Sequence, residues 1–370
     1  MFRHFSPLYG FHPFAPLLVH FVPIGVPFYH IRTRFVEQKK RIVYFCSRKI
    51  LLTMRIIGTG SAHPKRTLTN DDLSQMMDTS DAWIRERTGI CTRQIITDEE
   101  FDELAAEAAQ KALDDAGIAA SELDYIICSN VVNEYVTPSI ASIVEGKIGA
   151  MCPCVDLNAA CTGFIYAMDY AEALLQSGRA TNILVMAAEE PTRMVDWNDR
   201  STCVLFGDGA GAMVVTKGEE LKALKVSSKS NTSVLHYKRV LEPTPFITKE
   251  EQHIPLYMAG QEVFKTAVTC SVSDLMAVLT ESGLHKDDIT YYILHQANFR
   301  ILDYIRHRFG VDGSKLPMNV DKYGNTSSAS IPMLLDELNR EGKLKKGDLL
   351  AFSAFGAGFT SGACIIEWNK

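Results

Sequence analysis

The sequence lacks the cysteine and histidine patterns that hold disulfide frameworks or structural metals. Its nine cysteines are irregularly spaced along 370 residues, and a chain of this length can bury a core without disulfides. Cys152 and Cys154 flank a proline, but no second CxC or CxxC and no HxxxH supplies the other ligands of a tetrahedral site. We therefore expect free thiols, a cytoplasmic location and no metal.

An uninterrupted apolar segment that could cross a membrane is also missing. The most apolar part of the N-terminal region, residues 11–31, contains four prolines and three histidines. No convincing small-residue cleavage site follows it. We therefore expect neither a membrane span nor a signal peptide.

Charge separates the first 53 residues from the rest. They contain eight arginines and lysines and one glutamate, whereas residues 54–370 contain 30 basic and 43 acidic residues. Met54 opens a strand-like run, MRIIGTG. We expect the fold to begin there, and residues 1–53 to be a disordered extension or the product of an over-long start-site choice.

Nucleotide-binding loops are absent as well. Residues 207–211 read GxGxG rather than GxGxxG and lead into a strand, so the dinucleotide fingerprint fails in spacing and context. Residues 356–358, Gly-Ala-Gly, precede no Lys-Ser/Thr pair. Such glycines allow close backbone approach, and the amide of Ala357 could point at an oxyanion.

What the sequence does contain is an α/β pattern written twice. A helical pattern over residues 103–116 is followed by a strand pattern over 123–129, and the same order returns at 271–282 and 289–295. The runs FGDGAGAMVV and FGAGFTSGACII also correspond. We predict two similar α/β halves, residues 54–217 and 218–370, with a polar boundary near residues 217–230 and a shared interior site.

Cys161 lies where a strand pattern over residues 153–157 gives way to a helical one. The dipole and free amides at a helix N-terminus lower a thiol pKa, which favours a nucleophile. The alternative is a small buried hydrophobic residue, the commonest fate of a free cysteine.

His295 and Asn325 occupy comparable strand-to-helix junctions in the second half. His295 ends the strand pattern YYIL, and Asn325 lies in the turn YGNTSSAS. Each has a structural alternative, a satisfied histidine and a helix N-cap respectively. Because ligand crevices form at the carboxyl ends of such strands, the three residues together favour one site.

The motifs, taken in order, resemble the β-ketoacyl-acyl-carrier-protein synthase III family of the thiolase-like superfamily. They are IIGTGSAHP, DTSDAWIRERTGI, AACTGF, DRSTCVLFGDGAGA, MAGQEVFK, LHQANFRI, GNTSSAS and FGAGFTSG, and they span residues 56–362. The resemblance implies an α/β fold of duplicated halves in five layers, α-β-α-β-α, and a homodimer.

The resemblance also implies the catalytic roles. Cys161 would carry the acyl group as a thioester, and the amides of Cys161 and Ala357 would form the oxyanion hole. His295 and Asn325 would stabilise the enolate left by decarboxylation of malonyl-carrier protein, since neutral donors suit a developing negative charge. Asn325 in the third position argues against thiolases, elongating synthases and hydroxymethylglutaryl-CoA synthases.

Further binding residues carry over position by position. The resemblance places Trp83 and Arg200 around the CoA adenine, Arg87 on the CoA phosphates or base edge, and Gly260 and Asn298 on the pantetheine arm. The basic residues that would dock the acidic carrier protein are Lys265, Arg300, Arg306 and Arg308.

Two positions depart from or qualify the family pattern. Ala357 stands where the family has glycine, which a methyl group tolerates only if φ is negative. Thr137 falls where the family lines the acyl pocket across the dimer, and a small residue there would leave room for longer or branched primers.

The expected reaction is decarboxylative condensation of an acyl-CoA primer, acetyl-CoA in the leading hypothesis, with malonyl-carrier protein. This reaction starts fatty acid synthesis and needs no cofactor, since acyl-CoA is a substrate. A related condensing enzyme of secondary metabolism and a non-catalytic acyl-carrier-binding scaffold are the alternatives. Neither nucleic acid nor a membrane is an expected partner.

Overall fold

The computed structural model describes residues 53–241, 243–247 and 254–370. The extension expected over residues 1–53 therefore lies outside the described residues, apart from Thr53.

The described residues form thirteen strands and nine α-helices. The strands are β1 (Arg55–Ala62), β2 (Arg66–Thr69), β3 (Thr92–Ile95), β4 (Tyr125–Ser129), β5 (Cys154–Leu157), β6 (Asn182–Glu189), β7 (Gly209–Thr216), β8 (Leu221–Ser228), β9 (Leu235–Lys238), β10 (Ile254–Met258), β11 (Tyr291–Leu294), β12 (Leu349–Gly356) and β13 (Thr360–Glu367). The helices are α1 (Asn70–Ser74), α2 (Asp81–Thr88), α3 (Phe101–Ala116), α4 (Ile140–Ile148), α5 (Gly163–Gln176), α6 (Gly260–Ser282), α7 (Phe299–Phe309), α8 (Val320–Tyr323) and α9 (Ser330–Arg340).

Two mixed sheets repeat one strand arrangement. The first has the order β1-β7-β6-β4-β5 and the second the order β11-β12-β13-β8. The parallel pair β4–β6 matches β11–β12, and the antiparallel pairs β6–β7 and β7–β1 match β12–β13 and β13–β8. The second sheet contains no strand that matches β5 among the described residues. Two small hairpins, β2–β3 and β9–β10, complete the pairing.

The two sheets enclose a shared central layer of helices. α5 and α9 each contact both sheets, whereas α3 and α4 cover the outer face of the first sheet and α6 and α7 that of the second. Buried apolar side chains form one core between the sheets and one on each outer face. These layers run α-β-α-β-α, as we expected.

Small residues bring α3 close to the first sheet. A Cβ added at Gly60 of β1 would lie 2.3 Å from the carbonyl oxygen of Ala108 on α3. Ala105, Ala108, Ala109 and Ala112 form the buried stripe of this helix. Since no larger side chain fits at this distance, the motif IIGTG is explained by helix–sheet packing.

Two elements differ from their expected form. The polar stretch 217–230, where we expected a boundary, contains strand β8, whose alternating residues lie at the edge of the second sheet. All strands of the first sheet precede this stretch, and we propose on that division that the halves meet between residues 217 and 218. The helix expected at 271–282 begins eleven residues earlier, at Gly260.

Helix α6 has 23 residues and is long and apolar enough to cross a membrane by length and composition alone. It packs on β8, β12 and β13, and its buried stripe belongs to the outer core of the second sheet. Its apolar character is therefore explained by packing against the sheet.

The parallel strands direct their carboxyl ends to one edge of each sheet. β4, β5 and β6 end at Ser129, Leu157 and Glu189, and β11 ends at Leu294. Residues that follow these ends, among them Val131, Asn158 and His295, line one cavity.

Candidate active site

A cavity of about 1180 Å³ brings the three predicted catalytic residues together. Cys161, His295 and Asn325 all line it, although they lie far apart in the sequence. Ala357, which we expected in the oxyanion hole, lines the same cavity. The expected strand-to-helix junction is right for Cys161 and His295 and wrong for Asn325, which follows α8 rather than a strand. The two halves nevertheless share one interior site.

Cys161 lies two residues before α5, in a turn where Ala160 adopts a positive φ of 50°. Burial raises the pKa of the Cys161 thiol to about 12, although the Ser327 hydroxyl 3.4 Å from Sγ acts in the opposite direction. The expectation that the helix N-terminus lowers this pKa is wrong, because the net shift is upward. The free energy needed to desolvate the thiolate exceeds the stabilisation that the neighbouring dipoles provide.

The Gly356 backbone approaches this turn closely. A Cβ at Gly356 would lie 2.8 Å from the Cys161 amide nitrogen and 3.1 Å from the Ala160 Cβ. Ala357 is not among the described residues with positive φ, so its methyl group meets the condition set by the sequence. A glycine is needed at 356, and an alanine is tolerated at 357.

His295 follows β11 and is buried against Phe355, with the ring centroids 5.3 Å apart. Its Nδ1 lies 2.8 Å from the Ser330 hydroxyl oxygen, which also accepts a hydrogen bond from the Gln296 amide. If Ser330 donates its hydrogen to Nδ1, the ring proton lies on Nε2. Burial lowers the pKa of His295 to about 3, so the imidazole is neutral.

The Asn325 side chain is oriented by its own turn. Its Oδ1 accepts a hydrogen bond from the Ser327 amide at 2.9 Å, and its backbone pairs with Leu205 and Gly207. Asn325 is not the N-cap of α9, since Ala329 holds that position. With Oδ1 engaged, the two Nδ2 hydrogens are the donors that Asn325 can offer to the cavity.

At the mouth of the cavity, two guanidinium groups lie over the Trp83 ring. Arg87 is 4.6 Å and Arg200 is 5.0 Å from its centroid. Arg200 also donates hydrogen bonds to the Asp78 carbonyl and carboxylate. A base between Trp83 and Arg200 needs roughly 7 Å, two contact distances, so the expected adenine slot is closed in this structure.

Two family models match the chain. The model for 3-oxoacyl-[acyl-carrier-protein (ACP)] synthase III matches residues 155–232, and the model for its C-terminal part matches residues 279–368. β-Ketoacyl-[acyl-carrier-protein] synthase III of Clostridium acetobutylicum is 42% identical over 325 residues, which cover 86% of this chain and 99% of that protein. The enzyme of the same name from Xanthomonas campestris pv. campestris is 41% identical over 318 residues, 85% and 98% of the two chains.

The chain belongs to the β-ketoacyl-acyl-carrier-protein synthase III family.

Solved structures agree with this assignment. The synthase III of Aquifex aeolicus VF5 is 40% identical, with a TM-score of 0.79 over 85% of this chain and all of that one. A priming β-ketosynthase of the R1128 polyketide pathway is 32% identical, with a TM-score of 0.81 over 86% and 96%. The expected family, thiolase-like fold and condensing acyltransferase class are thereby confirmed.

The synthase III family residues expected to bind CoA all line the cavity: Trp83, Arg87, Arg200, Gly260 and Asn298. Gly260 has open space where a Cβ would stand. Asn298 also caps α7, where its Oδ1 accepts from the Arg300 amide at 2.8 Å, and its Nδ2 donates to the Arg87 carbonyl at 3.3 Å. A CoA contact at Asn298 would therefore compete with hydrogen bonds that this side chain already makes.

The residues expected to dock a carrier protein lie on two neighbouring helices. Lys265 is exposed on α6, and Arg300 and Arg308 are exposed on α7. Phe264 packs edge-to-face on Tyr304 and joins the two helices, with ring centroids 5.5 Å apart. Arg306 differs from the other three because it is half-buried and pairs with Asp303 at 2.8 Å.

Thr137 does not line the cavity of its own chain. It is exposed, three residues before α4, whose first amides donate to Asp156 of β5. The structure therefore places Thr137 beside the outer strand of the first sheet. That Thr137 lines the acyl pocket of a partner copy stays a prediction.

Sequence reasoning missed two residues beside the thiol, Ser327 and Glu189. Ser327 lies 3.4 Å from Cys161 Sγ, and Glu189 ends β6 with its carboxylate 3.3 Å from the Ser327 hydroxyl. A charged residue that ends an otherwise apolar strand, NILVMAAE, was the available signal for Glu189.

Other features bear on metals and disulfides. Across the part of the chain that the structure describes, no three His, Cys, Asp or Glu side chains are grouped to hold a metal ion. The eight cysteines in that part are all free thiols.

Proposed function

We propose that this synthase III condenses an acyl-CoA primer, acetyl-CoA first, with malonyl-carrier protein to give 3-oxoacyl-carrier protein in the cytoplasm. The observation that carries the proposal is the meeting of Cys161, His295 and Asn325 in one cavity whose mouth holds Trp83 and basic groups. No cofactor takes part, because the acyl group arrives already activated as a thioester.

In the first half-reaction the Cys161 sulfur attacks the acyl-CoA carbonyl. The C–S bond to Cys161 forms, the C–S bond to CoA breaks, and the thiol proton ends on the departing CoA sulfur. The amides of Cys161 and Ala357 stabilise the oxyanion between these events. The close approach of Gly356 to the Cys161 turn supports this assignment, because it brings the two backbone segments together.

In the second half-reaction the malonyl group loses carbon dioxide and leaves an enolate. His295 Nε2–H and Asn325 Nδ2–H donate hydrogen bonds to the enolate oxygen, and the enolate carbon then attacks the acyl-Cys161 carbonyl. The C–C bond forms, the C–S bond to Cys161 breaks, and the Cys161 sulfur takes up a proton from solvent. Two observations support these roles. Burial holds the pKa of His295 at about 3, so the ring stays a neutral donor, and Asn325 Oδ1 is bonded to its own turn.

CoA enters at the mouth, where Trp83 offers a flat apolar ring and Arg87 and Arg200 offer positive charge. The adenine takes the place of the Arg200 guanidinium on Trp83, and Arg200 then closes over the base or turns to a phosphate. Its bonds to Asp78 are exposed ion-pair contacts, which break at small cost.

The carrier protein docks on the exposed basic side chains of α6 and α7, Lys265, Arg300 and Arg308. Arg300 lines the cavity, and Lys265 and Arg308 are exposed on the same two helices, in a chain with 30 basic and 43 acidic residues after position 53. A local positive patch of this kind steers an acidic partner despite the opposite net charge. Arg306 takes a lesser part because Asp303 neutralises it.

The active unit is a homodimer formed through the free edge of β5. This strand ends the first sheet, and all four of its residues are half-buried. Exposed apolar side chains lie in segments next to this strand: Tyr135 and Val136 precede α4, which packs on β5, Met151 precedes β5, and Tyr170 lines a cavity with Val155 and Leu157 of β5. A second copy that pairs with this edge covers them and carries Thr137 toward the partner's cavity.

Incubation with radiolabelled acetyl-CoA is expected to leave acid-stable label on the wild-type chain and none on Cys161→Ala, because only the wild type can form the thioester. Cys270→Ala, which changes a half-exposed thiol on α6, serves as the control and should label fully. Equal labelling of wild type and Cys161→Ala would contradict the nucleophile.

His295→Ala and Asn325→Ala are expected to lose malonyl decarboxylation by about 10²-fold or more while acyl transfer stays within a few fold, since each removes a donor to the enolate. Release of ¹⁴CO₂ from labelled malonyl-carrier protein and release of CoA measure the two steps. If a variant lost acyl transfer but kept decarboxylation, the residue would act in the first half-reaction, and the proposed enolate role would be contradicted.

Arg300→Ala is expected to weaken carrier-protein binding by about 3- to 10-fold at low ionic strength, and the difference should shrink as salt screens the charges. Surface plasmon resonance with immobilised carrier protein measures it. Lys346→Ala is the matched control, because this exposed lysine precedes the amino end of β12, which is parallel to β11, and so lies away from the carboxyl end of β11 that leads into the cavity. Equal affinity of wild type and Arg300→Ala at low salt would refute the docking face.

Sedimentation velocity of the full chain is expected to give twice the chain mass of 41.1 kDa. Val136→Asp should shift the equilibrium toward the monomer, because it places a charge on the apolar surface beside β5. The control is Phe246→Asp, an even more exposed apolar position between β9 and β10. A monomeric wild type would contradict the β5 interface.

A further inference from the structure

A buried carboxylate is connected to the Cys161 sulfur through a single hydroxyl. The Ser327 Oγ lies 3.4 Å from Cys161 Sγ and 3.3 Å from Glu189 Oε1. Ser327 is held in place with a positive φ of 52°, in the turn that also carries Asn325. The three groups come from β6, from the turn before α5 and from the turn before α9, so the fold itself assembles them.

Glu189 is 1% exposed at the carboxyl end of β6. Its Oε1 also accepts a hydrogen bond from the Ser328 hydroxyl, and its Oε2 accepts one from the Val131 amide at 3.1 Å. These partners are neutral donors. Burial raises the pKa of Glu189 to about 7, and the hydrogen bonds oppose that rise.

The hydrogen count fixes the direction of the chain of contacts. A serine hydroxyl has one hydrogen and therefore donates to only one of its two neighbours. An ionised Glu189 has no hydrogen to give, so Ser327 donates to Glu189. In that state the thiol donates to the Ser327 oxygen, which gives the sequence Sγ–H···Oγ–H···Oε1. A Ser327 hydroxyl turned toward Sγ instead lowers the thiol pKa and leaves Glu189 without this donor.

We propose that Ser327 and Glu189 relay the proton of the Cys161 thiol during acyl transfer. This inference rests on the proposed role of Cys161 as the nucleophile. As the bond from Sγ to the acyl carbon forms, the thiol proton passes to the Ser327 oxygen and the Ser327 proton passes to Glu189. When the CoA sulfur leaves, Ser327 gives its proton to that sulfur and recovers one from Glu189. Glu189 thus returns to its ionised form, and protons and charge balance.

Ser327 is placed to serve both ends of this transfer. It lines the cavity in which the CoA sulfur must stand, whereas Glu189 is not among the lining residues. Ser327 is therefore the catalytic member, since it touches the reacting sulfur, and Glu189 acts through it as a positioning residue and proton reservoir.

Neighbouring titratable groups do not offer an equal acceptor. His295 has its Nδ1 bonded to Ser330, and burial lowers its pKa to about 3. Cys128 on β4, which faces Glu189, is buried with its pKa raised far above the usual range. Glu190, the next residue, pairs with Arg193 at 2.7 Å.

The test compares Glu189→Gln with Glu190→Gln, a buried carboxylate on the same strand end that does not contact Ser327. Rapid-quench measurement of CoA release from acetyl-CoA, in one turnover, is made from pH 5.5 to pH 9. Wild type and Glu190→Gln should show a rate that rises through about pH 7, because the relay needs ionised Glu189. Glu189→Gln should be about 10- to 100-fold slower at pH 8 and show no such rise.

Two further readouts separate a relay from a structural role. Enzyme acylated to completion should decarboxylate malonyl-carrier protein at the wild-type rate in Glu189→Gln, since Asn325 and His295 are unchanged. Glu189→Asp should restore the pH-dependent rise in part, and Ser327→Ala should reproduce the Glu189→Gln defect, whereas Ser328→Ala should retain the rise.

The relay would be overturned if Glu189→Gln released CoA at the wild-type rate and with the wild-type pH profile. Equal loss in both half-reactions with the pH profile intact would overturn it too, in favour of a structural role. Failure of the proposed function would give a result distinct from failure of the relay. Either the wild type would release no CoA from acetyl-CoA, or Cys161→Ala would release CoA as fast as the wild type.

Discussion

Removal of water from the floor of the cavity is the constraint on which the site depends. It acts in the same sense on three groups: burial raises the pKa of the Cys161 thiol to about 12 and of Glu189 to about 7, and it lowers that of His295 to about 3. Each shift favours the neutral form. A neutral, water-poor surrounding strengthens every hydrogen bond to an oxyanion or enolate, which is where condensation needs stabilisation.

The repeated sheets explain how such a floor can be built. In both sheets the matching parallel strands are followed by residues that line one cavity, and α5 and α9 pack between the sheets, each against both. The turns before these two helices carry Cys161 and Asn325, and the strand ends carry Glu189 and His295. Because the central helices are shared, each half buries the reactive groups of the other, and neither half contains a complete site.

The sequence predicts the parts of this site that leave a local pattern. Cys161 and His295 each lie between a strand and a helix, and periodicity locates such junctions; Asn325 lies between α8 and α9, and its signal was the turn motif YGNTSSAS. The pKa of Cys161 does not follow from its junction, since desolvation depends on packing from the second half. The stacking of Arg200 on Trp83 and the contacts of Ser327 with Glu189 join residues more than 100 positions apart. Sequence periodicity relates only residues that are close in the chain, so it does not predict these contacts.

A desolvated floor also creates a difficulty that the chemistry must resolve. Acyl transfer needs the thiol to lose its proton, yet a free thiolate is disfavoured where the thiol pKa is about 12. A proton that leaves as the C–S bond forms avoids that intermediate, provided that an acceptor lies within hydrogen-bond reach. The acceptor cannot be a protonated histidine, because the enolate step needs His295 as a neutral donor. A carboxylate outside the cavity, reached through one hydroxyl, meets both requirements: it takes the proton and keeps its own charge away from the enolate.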